Sequence, residues 1–173
     1  MARQLWLLRH AEAEPHGTRA DAARRLTPRG EDQARAAGVA LARIAGDFDA
    51  ILYSPKVRAS ETAELAAEGW PEEQRALLAE HAPLAGGFDA RAALDALSQG
   101  AVAADEQSTS RVLLVGHEPD LSGVIAELTG GVVDLKKGGV AVVRLDGPRG
   151  ELVAVLRPRE LSLIAGVPVG GGR

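Results

Sequence analysis

Apolar runs at residues 4–8, 50–53 and 111–115 constrain this chain more than any other feature. Each is short, rich in Leu, Ile or Val, and lacks the alternation of a half-solvated strand, which is the pattern of strands buried on both faces of a parallel sheet. Helical patterns follow each run. After the first, Thr27 and Pro28 form a cap-then-proline start, and Ala34, Ala37, Leu41 and Ile44 recur at steps of three and four, predicting a helix over 28–45 that ends at Gly46. After the second, Ser54-Pro55 repeats the signature and predicts a helix through about Glu68, closed by Gly69, Trp70 and Pro71. After the third, Pro119 falls in the first turn of a helix with Leu121, Val124, Ile125 and Leu128 on one face.

Between residues 72 and 110 only 90–97 reads as helix; "PLAGGFD" and "GAVAADEQSTS" read as loops. From residue 139 short β-branched runs flank Asp146-Gly147-Pro148-Arg149-Gly150, the pattern of a hairpin. The order predicts a three-layer α/β/α sandwich with a mostly parallel sheet, a C-terminal antiparallel hairpin and no large cap domain. One domain over 1–160 is expected, with a C-terminal extension over 161–173 whose "VGGGR" end frays.

Composition removes whole classes of function. The 173 residues contain no cysteine, so thiolate metal sites, disulfides and cysteine nucleophiles are excluded. A net charge of -4 with dispersed arginines, and few aromatic residues, argues against a nucleic-acid partner. No apolar run approaches the roughly 18 residues of a membrane span, and "MARQLWLL" does not read as a signal peptide. A cytoplasmic protein without a membrane partner is the expectation.

In open α/β sheets ligands bind beyond the carboxyl ends of the parallel strands. Those ends carry Arg9 and His10, then Ser54 and Arg58, then Gly116 and His117. Two arginines and two histidines from distant stretches therefore meet at one crevice, a composition suited to an oxyanion. Arg58, in a helix's first turn, opposes the macrodipole at a cost of roughly 0.3–1 kcal/mol when exposed, and a bound anion reverses that cost. Guanidinium forks match phosphoryl oxygens.

The residues then match a family. "LLRHAEAE" resembles the Arg-His motif of the histidine phosphatase superfamily, "YSPKVRASETA" its Ser-Pro-x-x-Arg-Ala-x-x-Thr-Ala motif, and "VLLVGHEPDLS" its second-histidine motif. With "RRLTPRG" and the alanine after the first histidine, residues 3–157 are most similar to the SixA-type phosphohistidine phosphatases. The resemblance implies that His10 is a nucleophile that becomes phosphohistidine, with Arg9, Arg58 and His117 holding the phosphoryl oxygens and Arg24 as a further ligand. It implies no metal and no organic cofactor.

Substrate choice turns on the leaving group. A departing alkoxide needs an acid, worth typically 10²–10⁴ in rate, whereas imidazole leaves readily. Glu80 and Glu118 are the candidate acids; Glu118 reads more readily as a helix-start carboxylate and Glu80 as a loop carboxylate. Only about 40 residues separate Gly69 from Arg111, too few for the cap that resemblance associates with ester-cleaving relatives. A phosphorylated protein, such as a histidine phosphotransfer domain, is the expected substrate, with a small phosphate ester as the alternative. Two other classes stay open. His10, Glu12, Glu14 and His16 alternate as metallohydrolase ligands would on a continuing strand, although Pro15 and Gly17 argue against continuation, and a phosphate-binding module would keep the pocket without turnover. His16 reads as a surface residue and His81 is left unassigned, Lys136 and Lys137 read as a solvated loop, and Trp6 and Trp70 as packing residues.

Overall fold

A computed structural model describes residues 2–101, 109–146 and 149–168. The strands are β1 (Arg3–Arg9), β2 (Ala50–Tyr53), β3 (Leu78–Glu80), β4 (Ser110–Gly116), β5 (Val140–Leu145) and β6 (Gly150–Leu156). The helices are α1 (Pro28–Ile44), α2 (Val57–Ala67), α3 (Glu72–Arg75), α4 (Ala90–Ala101), α5 (Asp120–Thr129) and α6 (Pro158–Ala165), with 3-10 turns at Asp21–Ala23 and Ala82–Ala85.

The strands form one six-stranded sheet in the order β3-β2-β4-β1-β5-β6. β3, β2, β4 and β1 are mutually parallel, while β5 pairs antiparallel with both β1 and β6. β5 alone therefore runs against the rest. Register aligns Arg9 with Gly116 and Tyr53 with Val115, so β1, β2 and β4 end level with one another.

Alternation along the central strands divides the core. Leu5 and Leu7 of β1, with Val112 and Leu114 of β4, pack against Ala93 and Leu97 of α4 and Leu121, Val124 and Ile125 of α5. Trp6, Leu8, Leu113 and Val115 face the other way, onto Ala37 and Leu41 of α1, Ala63 of α2 and Leu161 of α6. Both faces of the sheet are thus covered by helices, giving the three layers.

The start of α1 follows the sequence signal: Thr27 Oγ1 accepts from the Gly30 N–H at 3.1 Å, and Pro28 opens the helix. Ile44 does not follow it, being 41% exposed. The start of α2 departs from expectation as well. The helix begins at Val57 after Lys56, with no side-chain cap at Lys56; Ser54 Oγ accepts from the Lys56 N–H at 3.3 Å and also pairs with His117. β3 was not foreseen; three residues on a sheet edge offer too short a pattern to separate from loop. The domain boundary expected at 160/161 falls inside α6, where Leu161 is fully buried among α1-side core residues, so 161–165 belong to the packed body. The tail at 169–173, the middle of "GAVAADEQSTS" over 102–108, and Gly147-Pro148 of the hairpin turn lie outside the described residues. Among the described residues no helix is long and apolar enough to cross a membrane.

Candidate active site

Backbone bonds across the strand ends fix the site before any side chain is considered. The His10 N–H donates to the Gly116 carbonyl at 3.0 Å, the Ser54 N–H to Val115 at 3.0 Å, and the Arg9 N–H to Gly139 at 3.0 Å. A second tie comes from α2. Thr62 Oγ1, fully buried, accepts from the Ala11 N–H at 3.0 Å and donates to the Arg58 carbonyl at 2.6 Å, joining the segment after β1 to the helix that carries Arg58.

On this frame His10, Arg58 and His117 are brought together as buried polar side chains, with Arg9 half-buried beside them. The His10 and His117 rings lie 5.2 Å apart. His10 Nδ1 is 2.8 Å from the Ala11 carbonyl oxygen, which can only accept, so Nδ1 carries the proton. The Nε2 lone pair of a neutral His10 is consequently free. Burial pushes the His10 imidazole down to about 3, with His117, Arg58 and Arg9 adding to the shift, so the ring is neutral at pH 7.

His117 Nε2 pairs with Ser54 Oγ at 2.7 Å. Ser54 Oγ also accepts from the Lys56 N–H at 3.3 Å; we assign its own proton to the bond with Nε2 and the His117 ring proton to Nδ1. Burial lowers this imidazole to about 4, helped by the charges of Arg58, Lys56 and Arg9 and opposed by Asp21. The His117 ring is therefore neutral at pH 7.

Arg9 Nε, Arg58 Nε and His117 Nδ1 are shielded from solvent and have no hydrogen-bond partner. A buried donor left unpaired costs about 1–3 kcal/mol. Three such donors, on two guanidinium groups and an imidazole, are a chemistry that a bound oxyanion would satisfy.

The remaining candidates are placed differently. Arg24 is buried, but its Nε and Nη2 donate to Asp21 Oδ1 at 3.1 and 2.9 Å and its Nη1 to the Glu14 carbonyl at 2.7 Å, so it braces the 3-10 turn. Both Glu118 oxygens accept from Ser122, one from its N–H at 3.0 Å and one from its hydroxyl, which makes Glu118 a brace for the first turn of α5. Glu80 ends β3, exposed, opposite Tyr53 in register. Three strand spacings, about 14 Å at the usual 4.8 Å each, separate the β3 and β1 axes. The alternating His10, Glu12, Glu14 and His16 are not gathered: Glu12 accepts from Thr27, Glu14 pairs with Arg19, and the His16 side chain is 87% exposed. Among the described residues no group of three or more His, Asp and Glu side chains could hold a metal ion.

Sequence reasoning missed three side chains. Ser54 was read as a helix cap but partners His117. Lys56 reaches Asp21 Oδ2 at 3.2 Å and adds charge beside His117. Asp21 meets Arg24, Lys56 and Arg58 together. A serine before proline carries the same signal whether it caps a helix or orients a ring, and a lone aspartate in a polar loop carries none.

Comparison with known proteins agrees with this geometry. The family model of the histidine phosphatase superfamily (branch 1) matches residues 5–84. An uncharacterized protein of Picosynechococcus sp. is 32% identical over 152 residues, covering 84% of this chain and 87% of its own. A phosphohistidine phosphatase SixA candidate from Nakamurella multipartitia is 26% identical with a TM-score of 0.71, covering 91% of this chain and 97% of that one. The protein histidine phosphatase SixA complexed with tungstate shares the fold at 24% identity and a TM-score of 0.69, covering 90% of this chain and 97% of that chain. Phosphoglycerate mutase from Bacillus anthracis shares it at 17% identity and a TM-score of 0.73, with 94% and 96% covered. The match over the segment that holds Arg9, His10 and Arg58, together with a relative alignable along most of the chain, means that this protein belongs to the histidine phosphatase superfamily.

Proposed function

We propose that the protein hydrolyses a phosphoryl group through a covalent phosphohistidine on His10, and that its substrate is phosphohistidine on another protein. The observation that carries this reading is the His10 ring itself. Its Nδ1–H is held by the Ala11 carbonyl and burial keeps it neutral, so Nε2 presents a lone pair at neutral pH.

The chemistry balances in two steps. His10 Nε2 forms a bond to phosphorus as the substrate's P–N bond breaks, and the departing imidazole takes a proton from solvent. Water then attacks phosphorus, the His10–P bond breaks, one proton of that water returns to solvent, and inorganic phosphate leaves with neutral His10 restored. Arg9, Arg58 and His117 hold the equatorial oxygens, where charge spreads in the transition state. Their unpaired donors support this role. An arriving phosphoryl dianion also favours protonation of His117, which burial alone disfavours.

Support for a nitrogen leaving group comes from the carboxylates. Glu118 is committed to Ser122, Glu80 stands on the edge strand, and Asp21, the carboxylate that does reach Arg58, is held in its ionised form by Arg24, Lys56 and Arg58. Hydrolysis of an alkyl phosphate would need such an acid at the leaving oxygen. The tungstate complex of a SixA protein on the same fold, an oxyanion bound to a protein histidine phosphatase, is consistent with the assignment.

Rapid quenching with a [³²P]phosphohistidine protein tests both parts. An acid-labile, base-stable label on His10 is expected in the wild type and absent in His10→Ala. Continued product formation without any adduct refutes the covalent mechanism. A higher kcat/KM for p-nitrophenyl phosphate or other esters than for the phosphohistidine protein refutes the substrate assignment alone.

A further inference from the structure

The 3-10 turn at Asp21–Ala23 lies between two polar loop segments and buries none of its residues, yet its first side chain sits among the cations of the site. Arg58 donates from Nη1 to the Asp21 main-chain carbonyl at 2.7 Å and from Nη2 to Asp21 Oδ2 at 3.3 Å. Lys56 Nζ shares Oδ2 at 3.2 Å, and Arg24 holds Oδ1 with Nε and Nη2. The Arg24 and Arg58 side chains are 7% and 6% exposed, and no other carboxylate pairs with either among the described residues. One aspartate is thus the common counter-charge of three cations.

We propose that Asp21 is a positioning residue for phosphoryl binding, fixing the plane of the Arg58 guanidinium so that its Nε edge is left for the phosphoryl oxygens. This rests on the reading of Arg58 as a phosphoryl ligand. Arg58 is held through both terminal nitrogens while its Nε is unpaired, which divides the group into a braced edge and an unused one. A guanidinium is planar, so two contacts on one edge fix the direction of the other. Without Asp21, Arg24, Lys56 and Arg58 would also face one another with no anion between them, and repulsion would turn the flexible Lys56 and the Arg58 fork away from the site.

An alternative role for the same carboxylate is that of a competitor, released when phosphate arrives. The geometry opposes it. The Asp21 contact that is shortest to Arg58 is made by the main-chain carbonyl, and Oδ1 is pinned by a buried arginine whose third nitrogen is tied to the Glu14 carbonyl at 2.7 Å. The carboxylate is built in. The two roles predict opposite signs: loss of a brace weakens oxyanion binding, and loss of a competitor tightens it.

Isothermal titration of the full chain with inorganic phosphate at pH 7 separates them. Asp21→Asn keeps size and the main-chain contact, removes the charge and turns one of the two acceptor oxygens into an N–H donor; Asp21→Ser on the same exposed turn is the second variant if the first folds poorly. Phosphate affinity is expected to weaken about 3- to 10-fold in the wild-type background and less than 2-fold in an Arg58→Ala background, the non-additivity of two residues acting through one contact. The His117 ring, followed by NMR, is expected to titrate lower in Asp21→Asn, because the carboxylate that raises it is gone while Arg58, Lys56 and Arg9 remain. Unchanged or tighter phosphate binding, an equal effect in both backgrounds, or an unmoved His117 midpoint overturns the proposal. These readouts need no turnover, so failure to trap phosphohistidine on His10 would remove the proposed mechanism and leave the Asp21 result standing.

Discussion

Two buried neutral imidazoles make folding stability depend on pH above the range in which carboxylates titrate. In the unfolded chain His10 and His117 protonate near the ordinary 6.5, whereas in the folded protein burial holds them at about 3 and about 4. Both folded values are depressed, so between these limits the unfolded state binds more protons, and stability rises with pH and is lost as pH falls. On unfolding each ring gains about a quarter of a proton at pH 7, rising to nearly a full proton at pH 5. Linkage then gives about 2 kcal/mol per ring and about 4 kcal/mol for the pair. Both residues are more than nine-tenths buried, so solvent screening leaves this figure in force as an order of magnitude. Asp and Glu, with ordinary values near 4, contribute little in that window. Urea unfolding at pH 7 and pH 5 measures the effect directly, with His10→Gln/His117→Gln as the reference that lacks both rings. The wild type should lose about 4 kcal/mol more than the double variant. Equal pH dependence in the two proteins would refute the buried-neutral reading of the pair.

Ser54→Ala leaves His117 Nε2 without its partner and should lower kcat/KM about tenfold or more at a buried-group cost of about 1–3 kcal/mol, checked by steady-state kinetics against a phosphohistidine protein. Gly38→Ala would place a Cβ 1.9 Å from the Ala66 carbonyl oxygen, forcing α1 and α2 apart; about 1–3 kcal/mol of destabilisation is expected by chemical denaturation. Leu161→Ala removes a fully buried side chain from the α1-side core and should cost about 2–5 kcal/mol, whereas truncation at Leu163, 61% exposed on the same helix, should be close to neutral.

Local patterns and long-range contacts divide this protein cleanly. β2, α1 and the C-terminal hairpin were legible because each rests on information held within a few residues: an apolar run, a threonine before a proline, β-branched stretches about a turn. The carboxyl-edge rule carried the reading further, placing Arg9, His10, Arg58 and His117 at one sheet edge from strand order alone. Other features had no local signature. β3 exists only because β2 offers it an edge, and α6 joins the core only because Leu161 finds the α1-side cluster. The same serine could cap a helix or steer an imidazole, and the choice fell to residues more than sixty positions away. Arg24 reads as a further phosphoryl ligand until its nitrogens are found on Asp21 and Glu14, and Asp21 gains meaning only from three cations on two different segments. Composition and periodicity determine which atoms can be buried together, because desolvation acts on each residue by its own chemistry. Which donor meets which acceptor, and which buried nitrogen is left without one, is settled only when distant segments are brought to within hydrogen-bonding reach.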